Sequence, residues 1–115
     1  MPLIKVETSA VVPENRRTPV LAACSKVLAE TTGKPEQYCM AVLESGAILM
    51  AGKPATAAYI DIRGIGGLTP AVNKALAKAL CALLQKELGI APGDVYITFT
   101  DVPATNWGYN GGTFG

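Results

Sequence analysis

The chain contains no histidine. Ser-His and Cys-His nucleophilic catalysis both need an imidazole, as do most zinc sites, so one absence removes all of these classes. Cysteine is scarce: Cys24, Cys39 and Cys81 are odd in number and widely spaced, with no C-x-x-C, and read as reduced packing residues. Aromatics are limited to one Trp, four Tyr and two Phe. Neither sign of charge dominates, with ten Lys and Arg against nine Asp and Glu and no basic stripe, which argues against nucleic acid as the main partner. Lys or Glu interrupts every apolar run well short of the ~20 residues of a membrane span. No basic segment precedes an apolar one at the start, so no secretory signal is expected. These absences describe a domain with no membrane or nucleic-acid partner, expected in the cytoplasm; export without a signal peptide is the alternative. An enzyme built from this chain must work with an amine, a carboxylate, a phenol or the backbone.

What is present begins at the first two residues. A small residue after Met1 favours removal of the initiator, which would expose Pro2 as a secondary amine. Such amines titrate near ~8. Burial beside a cation lowers that value and leaves a neutral amine able to accept a proton, as a general base must. The plainer reading is that Pro2 simply follows the start. Behind it Leu3, Ile4 and Val6 alternate with Lys5 and Glu7, the pattern of a strand, which would hold the chain end in place.

With 115 residues the chain forms one domain over residues 1–115, large enough for a core without metals or disulfides. Two similar halves are expected, about 2–46 and 57–101, followed by a tail over 102–115. In the first, Thr18-Pro19 is read as N-cap and first helical residue, the apolar stripe runs from Val20 to Leu28, Gly33 stops the helix, and a strand covers about Tyr38 to Leu43. In the second, Ala57 to Ile62 is a strand with Tyr59, Asp61 and Arg63 opposing Ala58, Ile60 and Ile62. Thr69-Pro70 starts a helix that Gly89 ends, and Val95 to Thr100 is the fourth strand. The Thr-Pro starts lie 51 residues apart and the glycine stops 56, a repeat of architecture more than of sequence. Ile48 to Met50 is a short apolar piece, and Gly52 to Thr56 a loop. Two β-α-β units give an α/β fold, a two-layer α+β sandwich whose four-stranded mixed sheet carries both helices on one face. Ile4, Ile60 and Ile97 suggest that the uncovered face is partly apolar, and oligomerisation is expected on that ground.

Two segments invite chemistry. The glycines of Arg63–Pro70 follow G-x-G-G spacing, without the later glycine of a dinucleotide site or the Lys-Ser/Thr of a Walker loop, so they are read as permitting a tight turn. Lys34, just past the Gly33 stop, either complements the helix dipole or clamps a carboxylate near the chain end.

Met1-Pro2, T-G-K-P-E-Q-Y from Thr32 to Tyr38, I-G-G at Ile65–Gly67, D-V-Y-I at Asp94–Ile97 and N-W-G-Y-N-G-G-T-F from Asn106 to Phe114 occur in one order. Together they resemble the macrophage migration inhibitory factor family over the whole chain, with one added residue in the first loop. The resemblance implies a homotrimer whose sheets wrap into a central barrel. Its active sites would lie between subunits and perform cofactor-free keto–enol tautomerisation of α-keto acids such as phenylpyruvate, or of dopachrome derivatives. It implies Pro2 as the base, Lys34 and the backbone N–H of Ile62 on the substrate carboxylate, Tyr38 and Tyr96 from the adjacent subunit, and Phe114 in an apolar pocket. It also implies a second role, as a cytokine-like protein that engages a receptor. Departures from the family pattern are Thr98 in place of an asparagine, Trp107 at a small aliphatic position, Tyr109 in place of a tryptophan, and Arg63 as an added cation expected near the carboxylate. Pro54-Ala55-Thr56-Ala57 stands where vertebrate relatives carry C-x-x-C, so redox activity of that kind is not expected.

Overall fold

Strand β1 (Pro2–Thr8) buries alternate residues, Pro2, Ile4, Val6 and Thr8, and that alternation sets which way the sheet faces. The computed structural model describes residues 1–115. Helix α1 (Glu14–Thr32) leads to β2 (Met40–Ser45), and a small hairpin of β3 (Leu49–Met50) and β4 (Lys53–Pro54) follows. The second half runs through β5 (Ala58–Gly64), α2 (Pro70–Leu88) and β6 (Val95–Asp101), and a hairpin of β7 (Gly108–Tyr109) and β8 (Gly112–Thr113) ends the chain. The main sheet has the order β2-β1-β5-β6. β1 and β2 are parallel, β5 and β6 are parallel, and the two β-α-β units meet at an antiparallel β1–β5 ladder. The expected α/β sandwich with a mixed four-stranded sheet is therefore the observed one.

One core joins both helices to one face of the sheet. Val20, Cys24 and Leu28 from α1 and Leu76, Leu80 and Leu84 from α2 pack with Ile4, Val6, Ile60 and Ile62. Burial holds the Cys24 thiol up at about 11, so it stays protonated and packs as a small hydrophobe. Thr8 is the buried polar residue, and its hydroxyl donates to the Ala57 carbonyl at 2.7 Å and accepts from the Ala10 N–H at 3.0 Å. No helix is long and apolar enough to cross a membrane.

The second helix starts as expected: Thr69 Oγ1 accepts from the Val72 N–H at 3.2 Å, Pro70 is the first helical residue, and Gly89 closes the helix in the left-handed region at φ 67°. The first does not. Helix α1 begins at Glu14, and Pro19 lies inside it rather than at its start. The segment from Pro13 to Pro19 is exposed, so water can satisfy the carbonyl that the proline leaves without an N–H partner. Glu14 suits the positive end of the helix and pairs with Arg17 at 3.6 Å, while Arg16 pairs with Glu87 near the end of α2. These contacts extend the helix one turn beyond the Thr-Pro signal.

Two further expectations are corrected. The piece at Ile48–Met50 and the loop after it contain the β3–β4 hairpin, whose two turn residues Ala51 and Gly52 both have positive φ, 55° and 75°. The uncovered sheet face is partly apolar, but through Leu3, Met40 and Val42 and not through the isoleucines. Ile4 and Ile60 point at the helices and are fully buried, and Ile97 packs against the same core. The open face also carries Lys5, 3.4 Å from Glu7 and 3.8 Å from Glu44, Arg63 at 3.2 Å from Asp61, and Tyr59 at 2.6 Å from Thr98. The edges β2 and β6 also leave backbone groups unpaired.

Leu80→Ala is expected to lower unfolding free energy by about 2–5 kcal/mol, as for a fully buried leucine. Thr69→Ala, which removes one helix cap, is expected to cost about 1 kcal/mol. Urea titration measures both, and a smaller loss for Leu80→Ala than for Thr69→Ala would contradict the core described above.

Candidate active site

The parallel β1–β2 pairing puts the starts of both strands at the same end of the sheet, with Leu3 opposite Met40. The 3-10 turn Glu36–Tyr38, just before β2, therefore lands beside Pro2. The C-terminal β7–β8 hairpin closes over the same end, its turn formed by Asn110 and Gly111 with φ 50° and 81°. The result is a cavity of about 390 Å³ lined by Met1, Pro2 and Leu3 from β1, Gln37 to Met40 from the segment entering β2, and Trp107 to Tyr109 with Phe114 from the tail. Tyr109 stacks on Phe114 with centroids 5.2 Å apart and planes 11° from parallel, and Tyr38 meets Tyr109 edge-on at 6.2 Å. The cavity wall is therefore largely aromatic and apolar.

The charge at this cavity is the chain's own terminal amine. It belongs to Met1, so the Pro2 nitrogen is here an amide with no basic lone pair. Burial first, and then the positive charge of Lys34, lower the basicity of that amine, and Cys39 opposes them. Lys34 is seated by the glycine turn: its Nζ donates to the Ile65 carbonyl at 3.0 Å. Gly67, at φ 82°, lies so close that a Cβ there would stand 3.1 Å from Lys34 Cε. The turn glycines thus do more than permit a bend. They leave room for Lys34, which lies 31 residues before Ile65 in sequence.

Five of the expected site residues, Pro2, Tyr38, Trp107, Tyr109 and Phe114, share this one cavity, and Lys34 acts on its amine. Tyr38 comes from the same chain as Pro2 and not from a neighbour, because β2 runs parallel to β1. Ile62 lies elsewhere. It is fully buried on a central strand, between Ile4 of β1 and Phe99 of β6. Arg63 lies elsewhere too. Strand alternation turns it to the open face, where it pairs with Asp61 and lines a separate cavity of about 260 Å³ with Leu3, Val102 and Asn106. Trp107 lines both cavities and so stands at their common boundary.

Tyr96 and Thr98 lie outside the cavity. Gly64 faces Pro2 on one side and Asp101 on the other, whereas Tyr96 is level with Tyr59 and Glu7 at the other end of the sheet. Five residues separate Tyr96 from that level, roughly 17 Å at about 3.3 Å per residue. Tyr96 is 67% exposed and Thr98 holds Tyr59. Neither can reach Pro2 of its own chain.

Gln37, Cys39 and Met40 line the cavity without having been singled out by sequence. Alternation from Tyr38 would have marked Met40, but read as a strand it gave no reason to place Cys39 at a cavity wall. The Asn110-Gly111 pair is a strong hairpin signal that identifies the closing element.

Three comparisons bear on this geometry. The profile of the macrophage migration inhibitory factor (MIF) family matches residues 1–115. Macrophage migration inhibitory factor of Rattus norvegicus is 36% identical, with 99% of each chain covered. Among solved structures, the macrophage migration inhibitory factor-like protein of Entamoeba histolytica superposes with a TM-score of 0.95 at 33% identity, covering 98% of both chains. A structure described as a fused 4-OT wild type symmetric trimer superposes with a TM-score of 0.85 at 27% identity, covering 96% of this chain and 93% of that one. With the sheet order, the amine-bearing aromatic cavity and the whole-chain match in agreement, the chain belongs to the macrophage migration inhibitory factor family.

Proposed function

We propose that the chain, once Met1 is removed, is a cofactor-free keto–enol tautomerase of phenylpyruvate-like α-keto acids, with dopachrome-type compounds as further substrates, and that it works as a homotrimer. The observation that carries this reading is a terminal amine inside an aromatic cavity whose basicity is lowered by burial and by Lys34. After Met1 is lost, the secondary amine of Pro2 occupies that place. Burial and the nearby ammonium act on it in the same direction, keeping it neutral and able to accept a proton.

The chemistry follows from these groups. Pro2 nitrogen takes the proton from the carbon next to the keto group, the electron pair moves to the keto oxygen, and the Pro2 ammonium returns the proton to that oxygen, giving the enol and a neutral Pro2. The reverse sequence returns the ketone. Lys34 holds the substrate carboxylate, and Tyr38, Tyr109 and Phe114 receive the phenyl ring. A single positioned base contributes roughly 10²–10⁴ in rate, enough for an activated α-proton.

The trimer supplies what one chain lacks. Tyr96 and Thr98 stand far from their own Pro2, and in an assembly they would reach the Pro2 of a neighbour. The open edges β2 and β6 are suited to pairing between subunits. The likeness to a chain described as a symmetric trimer supports the same assembly.

Phenylpyruvate enol–keto interconversion, followed by absorbance, tests the reading. Met-processed protein is expected to be active, while a Pro2→Gly variant falls by at least about a hundredfold. A form that retains Met1 is expected to be nearly inactive. Full activity with Met1 shown in place by mass spectrometry would remove Pro2 as the base. No activity in a processed trimer would move the reading to a receptor-binding role.

The pH profile gives a second test. A base works deprotonated, so kcat/KM should rise with pH, with a midpoint below the ordinary α-amine value of about 8. Lys34→Met removes one of the two influences that lower it. It should move the midpoint upward and raise KM for phenylpyruvate at least about tenfold, the scale of one charge-assisted hydrogen bond. An unmoved midpoint would show that Lys34 does not act on the base.

A further inference from the structure

The carboxylate of Asp101, the last residue of β6, lies outside the cavity and has no part in the chemistry above. Its Oδ1 accepts from the Gly66 N–H at 2.7 Å. Gly66 is the middle residue of the turn that seats Lys34: the residue before it supplies the carbonyl that Lys34 Nζ binds at 3.0 Å. The residue after it, Gly67, lies against the lysine stem. Both Gly66 and Gly67 have positive φ, 68° and 82°, where glycine moves freely among alternatives, so the turn has little conformational preference of its own. Two contacts tie it to the sheet at this end. The Val102 N–H donates to the Gly64 carbonyl at 2.8 Å, and Asp101 holds Gly66.

We propose that Asp101 is a positioning residue: by holding the Gly66 N–H it fixes the Ile65–Gly67 turn, and the turn in turn holds the Lys34 ammonium where an anionic substrate is met. A carboxylate accepting a backbone N–H makes a charge-assisted bond, stronger than a neutral one and suited to ordering a glycine pair. A lysine ordered before the substrate arrives avoids the entropy of immobilising its stem during binding. The inference rests on the tautomerase reading for its kinetic consequence, but not for its structural one.

The test compares phenylpyruvate with its uncharged methyl ester in wild type, Asp101→Ala and Asp101→Asn. Asp101→Ala should raise KM for phenylpyruvate about two- to tenfold, the range for immobilising one long side chain on binding. Its kcat and its KM for the ester should stay near wild type. Asp101→Asn keeps an oxygen acceptor and should restore most of the loss. An unchanged KM, or an equal change for acid and ester, would overturn the proposal. Without turnover, the two ε-methylene protons of Lys34 report the same seat by NMR. They should be inequivalent in wild type and averaged in Asp101→Ala, and unchanged inequivalence in the variant would also overturn the proposal. If wild type turns over neither compound, the tautomerase reading fails and the NMR signal alone decides the role of Asp101. Should Asp101→Ala not fold, Gly67→Ala, which places a methyl against Lys34 Cε, is expected to give the same acid-selective rise in KM. Its absence would count against the seat.

Discussion

The antiparallel ladder between β1 and β5 is the constraint on which the site depends. It joins the two β-α-β halves and sets Pro2 opposite Gly64 at one end and Thr8 opposite Ala58 at the other. Because each half is internally parallel, this one register brings four features to the same end of the sheet: the start of β1, the approach to β2, the glycine turn after β5 and the end of β6. A slip of one residue would turn Ile4 and Val6 out of the core and the charged residues into it. The buried Thr8 hydroxyl, bonded to Ala57, helps hold that register at the far end.

Electrostatics at the cavity follow from the same placement. Apolar walls raise the free energy of a protonated amine, and Lys34 adds a repulsive positive charge. The glycine turn gives Lys34 a neutral carbonyl as its partner in place of a carboxylate that would cancel its charge. Arg63 shows the other arrangement. It pairs with Asp61 at 3.2 Å on the open face.

The sheet thus separates two environments. One face is sealed by α1 and α2, and the other mixes ion pairs with Leu3, Met40 and Val42 and is bounded by two unpaired edges. Trp107 stands where the two meet, with one cavity on either side.

Local chemistry was legible in the sequence. Thr69-Pro70 and Gly89 bound α2, Gly33 ends α1 in the left-handed region, and the alternation of Tyr59, Asp61 and Arg63 against Ala58, Ile60 and Ile62 matches the burial of β5. Each of these signals acts within a few residues, through a cap, a positive φ or a two-residue period, so the residues alone express it. The tertiary structure decided what depends on contacts distant along the chain. It extended α1 back to Glu14 through exposed charge pairs, and brought Tyr38 beside Pro2 of the same chain. It also sealed Ile62 between two strands and placed Lys34 in a seat made by Ile65 and Gly67. Periodicity says which residues share a face. Only the register of the strands says which of those residues meet, because a one-residue shift preserves every local preference while changing every partner.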